Sequence, residues 1–420
     1  VADYLKNSGL QRALDGLGFH VAGYGCMTCV GFSGSLPDDV VSAVRDGGVC
    51  ATAVYSGNRN YEGRAHPLIR SSFLASPPLV VAYALCGTVL RDLTREPLGR
   101  DAAGGDVFLS DIWPDPREIQ DIIGAHVTPD LFVRSYDALS VGAGDWRALD
   151  FPRGPQFAWQ QGSSFIRRPE TYADFKSSAP LTDLHGARIL AMYGDMVTTE
   201  HLSPMSAIPD GSPAAQYLRS LGIAREDFVS YAARRLNHDV MARGALSSPH
   251  LANELTPAER GGVTRHMPSG TLMTIYDASA RYRREAVPLI LIAGRSLGAG
   301  SSRDWSAKGL MALGVRIVIA ESYERIYRSN LVAAGVLPLR FPDGTSRKSL
   351  GLDGSEVVDL TGLAALVPDA MVSVRFIRDD GSHSASPLIA ALCTYEDIDC
   401  VRHGGLLPRV LQRLTSERAQ

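Results

Sequence analysis

With 420 residues, 45% of them hydrophobic, the chain has enough apolar material for two or three domains with cores of their own. A net charge of −3 gives no overall attraction to nucleic acid or to an anionic membrane, so a polycationic binder is excluded. Six irregularly spaced cysteines do not make the dense framework of a small secreted domain, and a reducing, cytoplasmic compartment is the expectation.

In chain order, residues 2–17 carry apolar positions at helical spacing, with charges interleaved rather than the apolar run of a signal peptide. Residues 19–22 predict a short strand that enters the turn Gly23-Tyr24-Gly25-Cys26-Met27-Thr28-Cys29. Two thiolates three positions apart can reach one metal or cluster. The same spacing also suits a redox dithiol, a zinc half-site or two inert buried cysteines. Residues 38–45 predict a helix. Residues 49–55 form a small-apolar run consistent with a buried parallel strand. Residues 77–90 predict a buried helix, too short to span a bilayer.

Between 109 and 185 prolines interrupt the periodicity, which predicts a long linker with one helix over 116–123. Beyond it, strands are predicted at 188–193, 271–275, 289–293, 316–320 and 371–375, with helices between some of them. The fold class is therefore α/β: a parallel-sheet unit over 1–108, a linker over 109–185 and a second α/β unit over 186–420.

Three loops carry polar side chains suited to chemistry. Asn58 to Arg64 follows a strand end, where α/β sheets bind ligands, and its arginine forks match carboxylates. An ordinary solvated turn has the same composition. Gly194 to Pro204 brings Thr199, Glu200, His201 and Ser203 together, either as structural hydrogen-bonders or as a binding set. Gly298-Ala299-Gly300-Ser301-Ser302-Arg303-Asp304 opens a helix between two strands. It reads either as a capping box of Ser301 with Asp304 or as an anion cradle. Arg234, Arg235 and Arg243 read as a solvated face or a local ion-pair network.

Together GYGCMTC (23–29), SGNRNYEGR (56–64), GDMVTTEHLSP (194–204), GAGSSRDWSAKG (298–309) and ESYERIYRSNL (321–331) resemble the C-terminal half of the aconitase family. The likeness is to the cytosolic and bacterial aconitase branch and runs from residue 2 to about 341. It implies the end of a third domain, a linker and a mobile fourth, swivelling domain. It also implies a four-iron four-sulfur (4Fe-4S) cluster with Cys26 and Cys29 among its ligands. By the same resemblance Ser301 is the catalytic base, and Asn58, Arg59, Arg64, Thr199, Glu200, Ser203, Ser302 and Arg303 meet the substrate. The implied activity is a hydro-lyase step of the tricarboxylic acid cycle, citrate to isocitrate via cis-aconitate. The alternatives are a 2-methylcitrate dehydratase, a citrate-analogue isomerase such as phosphinomethylmalate isomerase, or a non-catalytic RNA-binding relative. The intact Ser301-Ser302-Arg303 set favours an enzyme, and the acidic charge gives RNA no support.

Four positions depart from the family pattern: Glu200 stands for Asp, Leu221 for a substrate arginine, Phe32 for Asn and Tyr327 for His. Losing a charged hydrogen bond of the kind an arginine makes is worth roughly 1.5–3 kcal/mol, enough to change substrate preference.

The family's first cluster cysteine falls upstream of Val1, so the N-terminal half of the same enzyme, or a separate subunit, is expected to supply it. No motif places Cys50, Cys86, Cys393 or Cys400 in that role. The 420-residue chain reconstituted alone with iron and sulfide is then expected to hold well under four irons per chain and to show no aconitate hydration. Full iron occupancy with activity would place a third ligand within the chain.

Overall fold

A computed structural model describes residues 1–24, 36–57, 66, 68–142, 144–150, 154–169, 181–300 and 304–417. The chain divides into two compact units, Val1–Ala158 and Trp159–Gln420.

The first unit is α/β with little core. Strands Thr52–Tyr55 and Ser71–Leu74 pair in parallel, Thr52 opposite Ser71 and Tyr55 opposite Leu74. The predicted strand at 49–55 is thus present and parallel, but it is half-buried rather than buried. Helix Pro77–Cys86 answers the apolar run at 77–90, yet only Ala82 in it is buried. Ala82 joins Leu93 and Leu98 in a small core with Tyr83, Cys86 and Leu109 packed on it. The predicted strand at 19–22 is absent, because those residues adopt no regular structure. The helix expected over 2–17 is two helices, Ala2–Asn7 and Leu10–Gly16.

Past residue 108 two of the prolines start helices, and the helix expected over 116–123 is present as the first of them. Pro116 and Pro129 each occupy the first position of a helix, Pro116–His126 and Pro129–Val141. Proline is tolerated there because that N–H has no intrahelical partner to lose. Asp115 caps the first of these helices by accepting from the Arg117 N–H at 2.7 Å.

The second unit is built on a closed seven-stranded barrel. Leu184–Met192, Leu289–Ala293, Val315–Ala320 and Leu337–Arg340 run parallel to one another in that order. His383–Ala390, Met371–Ile377 and Val357–Thr361 return antiparallel and close the barrel from Leu337–Arg340 to Leu184–Met192. Every residue of Leu289–Ala293 is buried. Ile290 and Ile292 point into the barrel, while Leu289, Leu291 and Ala293 pack outward with the helices. A strand covered on both faces reads as a continuous apolar run for that reason. On the antiparallel side Met371–Ile377 alternates, with Val372, Val374 and Phe376 inward and Met371, Ser373 and Arg375 exposed.

The βαβ unit expected around 289–320 is present, with helix Trp305–Ala312 crossing between the parallel strands Leu289–Ala293 and Val315–Ala320. Consequently the C-terminal ends of the parallel strands open at one rim of the barrel. The loops bearing residues 194–204, 294–300 and 321–324 leave from that rim.

Candidate functional site

The loops at this rim are fastened to one another through their backbones. Tyr193 N–H donates to Ile292 O (2.9 Å), Gly294 N–H to Gly194 O (3.1 Å) and Met196 N–H to Arg295 O (2.8 Å). Gly298 N–H donates to Val197 O (2.7 Å) and Thr199 N–H to Ala299 O (2.8 Å). The parallel pairing of the strands is thereby carried past their ends, as far as the Thr198–Ala299 bridge. A third loop joins through Glu321 N–H to Gly294 O (3.1 Å) and Leu297 N–H to Ser322 O (3.0 Å).

Two glycines make this approach sterically available. A Cβ on Gly294 would lie 2.0 Å from Asp195 Oδ1, which accepts the Arg295 N–H at 2.8 Å. Gly298 has φ +84°, and a Cβ there would lie 2.0 Å from the Tyr327 ring. Tyr327 is 1% exposed and donates its hydroxyl proton to Ser306 O at 3.4 Å. Burial pushes its phenol far above the usual range, so it remains neutral.

Thr198 caps the short helix Thr199–Leu202. Its hydroxyl accepts the His201 N–H, and His201 Nδ1 accepts the Thr198 N–H, both at 3.2 Å. His201 is thus occupied locally, the structural alternative considered for this loop. Glu200 Oε1 accepts from the Met205 N–H at 3.0 Å. Ser203 is buried, and its N–H donates to Thr199 O at 3.0 Å. Thr199 is 2% exposed, and its hydroxyl has no hydrogen-bond partner among the described residues. It lines a cavity of about 120 Å³ beside Gly298, Gly300, Glu324, Arg325 and Tyr327.

Of the predicted site residues, Thr199, Glu200 and Ser203 therefore lie together in the rim loop, and Thr199 bonds the Ala299 carbonyl through its backbone N–H. Cys26, Cys29, Asn58, Arg59, Arg64, Ser301, Ser302 and Arg303, with Phe32, lie outside the described residues. Asp304 is the N-cap of the helix that follows Ser301 and makes no side-chain capping bond. Its carboxylate instead pairs with Lys308. Leu221 is the C-cap of helix Pro213–Ser220 and is 42% exposed.

Sequence reasoning missed the charged group beneath the rim. Arg347 is 3% exposed and bonds Glu254 with two nitrogens (2.6 and 2.9 Å) and Glu321 with the third (3.1 Å). Glu321 also accepts from Arg295 Nε at 3.3 Å, and the Glu254 N–H donates to Met192 O at 2.7 Å. Hydrogen bonding to Glu254 holds the Arg347 guanidinium still further into its charged form. The spacing of 93 residues between Arg347 and Glu254 leaves no local signal.

Of the arginines read as a solvated face or a local ion-pair network, Arg235 is exposed and Arg243 is ion-paired, whereas Arg234 is neither. Arg234 is fully buried and donates to the carbonyls of Phe228 (2.9 Å), Ser164 (2.8 Å) and Asp227 (2.6 Å). Arg243 lies between the Tyr217 and Tyr276 rings, 4.3 and 4.6 Å from their centroids, and bonds Asp239.

The family model described as the aconitase C-terminal domain matches residues 214–344, and that of the aconitase family (aconitate hydratase) matches residues 1–87. Aconitate hydratase A of Legionella pneumophila is 46% identical over 417 residues, covering 99% of this chain and 47% of that protein. Aconitate hydratase A of Escherichia coli is 46% identical over 415 residues, covering 99% and 46%. The chain belongs to the aconitase family. Phosphinomethylmalate isomerase of Streptomyces viridochromogenes is likewise 46% identical over 417 residues, covering 99% of this chain and 46% of that protein. The chain spans about half the length of these curated aconitase-family relatives. A crystal structure of a Methanocaldococcus jannaschii 3-isopropylmalate dehydratase aligns with a TM-score of 0.28 at 14% identity, over 56% of this chain and 98% of that one.

An iron–sulfur cluster can be tested here on its donors alone. Cys26 and Cys29 offer the soft thiolates such a cluster takes. Among the described residues no group of three His, Cys, Asp or Glu side chains could hold a metal, and Cys50, Cys86, Cys393 and Cys400 are separate free thiols. The two thiolates fit the cluster in kind, and no further ligand group is found among the described residues.

The buried guanidinium yields a stability prediction. Arg347→Met should destabilise the barrel unit by about 3 kcal/mol, the low end for a broken buried pair because Glu254 is partly exposed. Arg295→Met, at the exposed end of the same network, should cost under about 1 kcal/mol. Urea unfolding of both variants checks this, and equal losses would refute the assignment of Arg347 as the network's centre.

Proposed function

We propose that this chain carries the C-terminal half of an iron–sulfur hydro-lyase that interconverts citrate and isocitrate through cis-aconitate. The observation that carries the reading is 46% identity to aconitate hydratases across 99% of the chain. The rim supports it further, since Thr199 is bonded through its backbone to Ala299, in the segment that leads into Ser301.

In this reading Ser301 removes the proton from the carbon next to the substrate hydroxyl. Ser302, Arg303, Asn58, Arg59 and Arg64 hold the carboxylates through charged, bidentate hydrogen bonds. A 4Fe-4S cluster held by Cys26, Cys29 and a third cysteine would supply a Lewis acid for the departing hydroxyl. The third cysteine and the opposite wall of the cleft come from the N-terminal half of the enzyme or a separate subunit. The site belongs to a cytoplasmic enzyme acting on a tri- or dicarboxylate, without membrane or nucleic-acid partners. Among the described residues no helix is long and apolar enough to cross a membrane.

Ser301→Ala in the complete enzyme should slow aconitate hydration by on the order of 10²–10⁴, the range for a positioned acid or base, with a much smaller change in KM. Turnover near that of the native enzyme would leave Ser301 no role as base.

A second reading, a citrate-analogue dehydratase or isomerase, is favoured by one residue: Leu221 replaces a substrate arginine with an apolar side chain. Leu221→Arg should raise kcat/KM for citrate relative to 2-methylcitrate by roughly ten-fold, the lower part of what a charged hydrogen bond contributes. An unchanged ratio in parallel assays of the two acids would mean that position 221 does not face the substrate.

A further inference from the structure

We propose that Arg347 is a positioning residue, which holds the rim loops 194–199 and 294–299 in the one arrangement that turnover requires. It does so without meeting substrate, since all three of its guanidinium nitrogens are bonded to Glu254 and Glu321. The consequence for turnover rests on the lyase reading. The hold on the loops does not.

Arg347 follows strand Leu337–Arg340, and each of its bonds leads to the end of another parallel strand. Glu254 belongs to a segment that takes both backbone groups of Met192, the last residue of Leu184–Met192. Asn253 Oδ1 accepts the Met192 N–H at 3.0 Å, and the Glu254 N–H donates to Met192 O at 2.7 Å. Glu321 stands directly after Val315–Ala320, and its N–H donates to the carbonyl of Gly294, directly after Leu289–Ala293, at 3.1 Å. Gly194 opens the loop that leads to Thr199. A Cβ on Gly194 would lie 3.9 Å from Arg347 Nη2, so the guanidinium sits against that loop. One buried side chain is thus in touch with all four parallel strand ends.

Charge pairing and positioning make different demands on this residue. Two buried carboxylates need only a cation, and a lysine ammonium supplies one. Holding two loops at a fixed separation needs a planar fork that bonds Glu254 with two nitrogens and Glu321 with the third, which a point charge on a flexible stem does not reproduce. The backbone bonds between the loops, such as Thr199 N–H to Ala299 O, lie beyond the strands, and bonds of that kind open locally at lower cost than a barrel core. Loss of the fork with the charge retained therefore loosens the loops before it loosens the barrel. A displacement of about 1 Å at reacting groups costs on the order of 10²-fold in rate.

The test is amide hydrogen exchange, read by mass spectrometry, on the 420-residue protein and its Arg347→Lys and Glu321→Gln variants. In Arg347→Lys, exchange over residues 195–199 and 294–299 should rise by roughly ten-fold, while strands Leu289–Ala293 and Val315–Ala320 change by less than about two-fold. Glu321→Gln, which keeps an acceptor oxygen and the fork, should give the same pattern with a smaller rise. Unchanged exchange in the loops, or an equal rise in loops and strands, would overturn the positioning role. In the complete enzyme, Arg347→Lys should lower kcat for aconitate hydration by about 10- to 100-fold with KM within about three-fold of native. Native kcat in a variant whose loops are loosened would overturn the link to turnover and leave the lyase reading standing. Absence of aconitate hydration by the native complete enzyme would remove the lyase reading, and the exchange pattern alone would then decide whether Arg347 holds the loops.

Discussion

A guanidinium that is 3% exposed must be paired, and at the rim of the barrel Arg347 is paired by three bonds to two carboxylates that arrive from different parts of the chain. Glu254 is itself tied to the end of Leu184–Met192, and Glu321 follows Val315–Ala320 and bonds the loop after Leu289–Ala293. One cation thus fixes the ends of three parallel strands relative to one another. The barrel core would fold equally well with several arrangements of those ends, since apolar burial is not directional. The directional bonds at Arg347, with the backbone bonds above them, select the one in which Thr199 meets Ala299.

That selection explains why small residues recur in the loops. Gly294 and Gly298 are needed because the chains approach more closely than a Cβ allows, against Asp195 in one case and the Tyr327 ring in the other. Tyr327 seats the turn on a buried, neutral ring. The ring beneath the Gly298 turn is therefore insensitive to protonation over the ordinary range.

Much of the parallel half of the barrel was legible in the sequence. Residues 289–293 read as a strand because burial on both faces leaves five apolar residues in a row. The antiparallel half was less legible, for an opposite reason. Strands Val357–Thr361 and His383–Ala390 alternate buried and exposed positions, and the second carries Ser384, Ser386 and Pro387, so its inward Leu388 and Ala390 do not stand out. Of the prolines between 109 and 150, Pro116 was read with the helix it starts, whereas Pro129 was read as an interruption although it too occupies a first helical position. In the site, the hydroxyls and carboxylate of 199–203 were visible as a local cluster. Arg347, Glu254 and Glu321 were not, because contacts between residues distant in sequence leave no periodicity to read.

The two units also differ in how far their own residues account for their folding. The barrel unit buries two large clusters that share the Leu289–Ala293 strand, one on each face. The first unit buries Ala82, Leu93, Leu98 and Leu131, while Phe73, Leu74, Phe132, Val133, Trp113 and Tyr136 are all more than one-third exposed. Scattered apolar side chains on a surface need no explanation, but here they outnumber the buried ones, and strand Ser71–Leu74 presents both Phe73 and Leu74 to solvent. A two-stranded parallel sheet is rarely stable without cover on its faces.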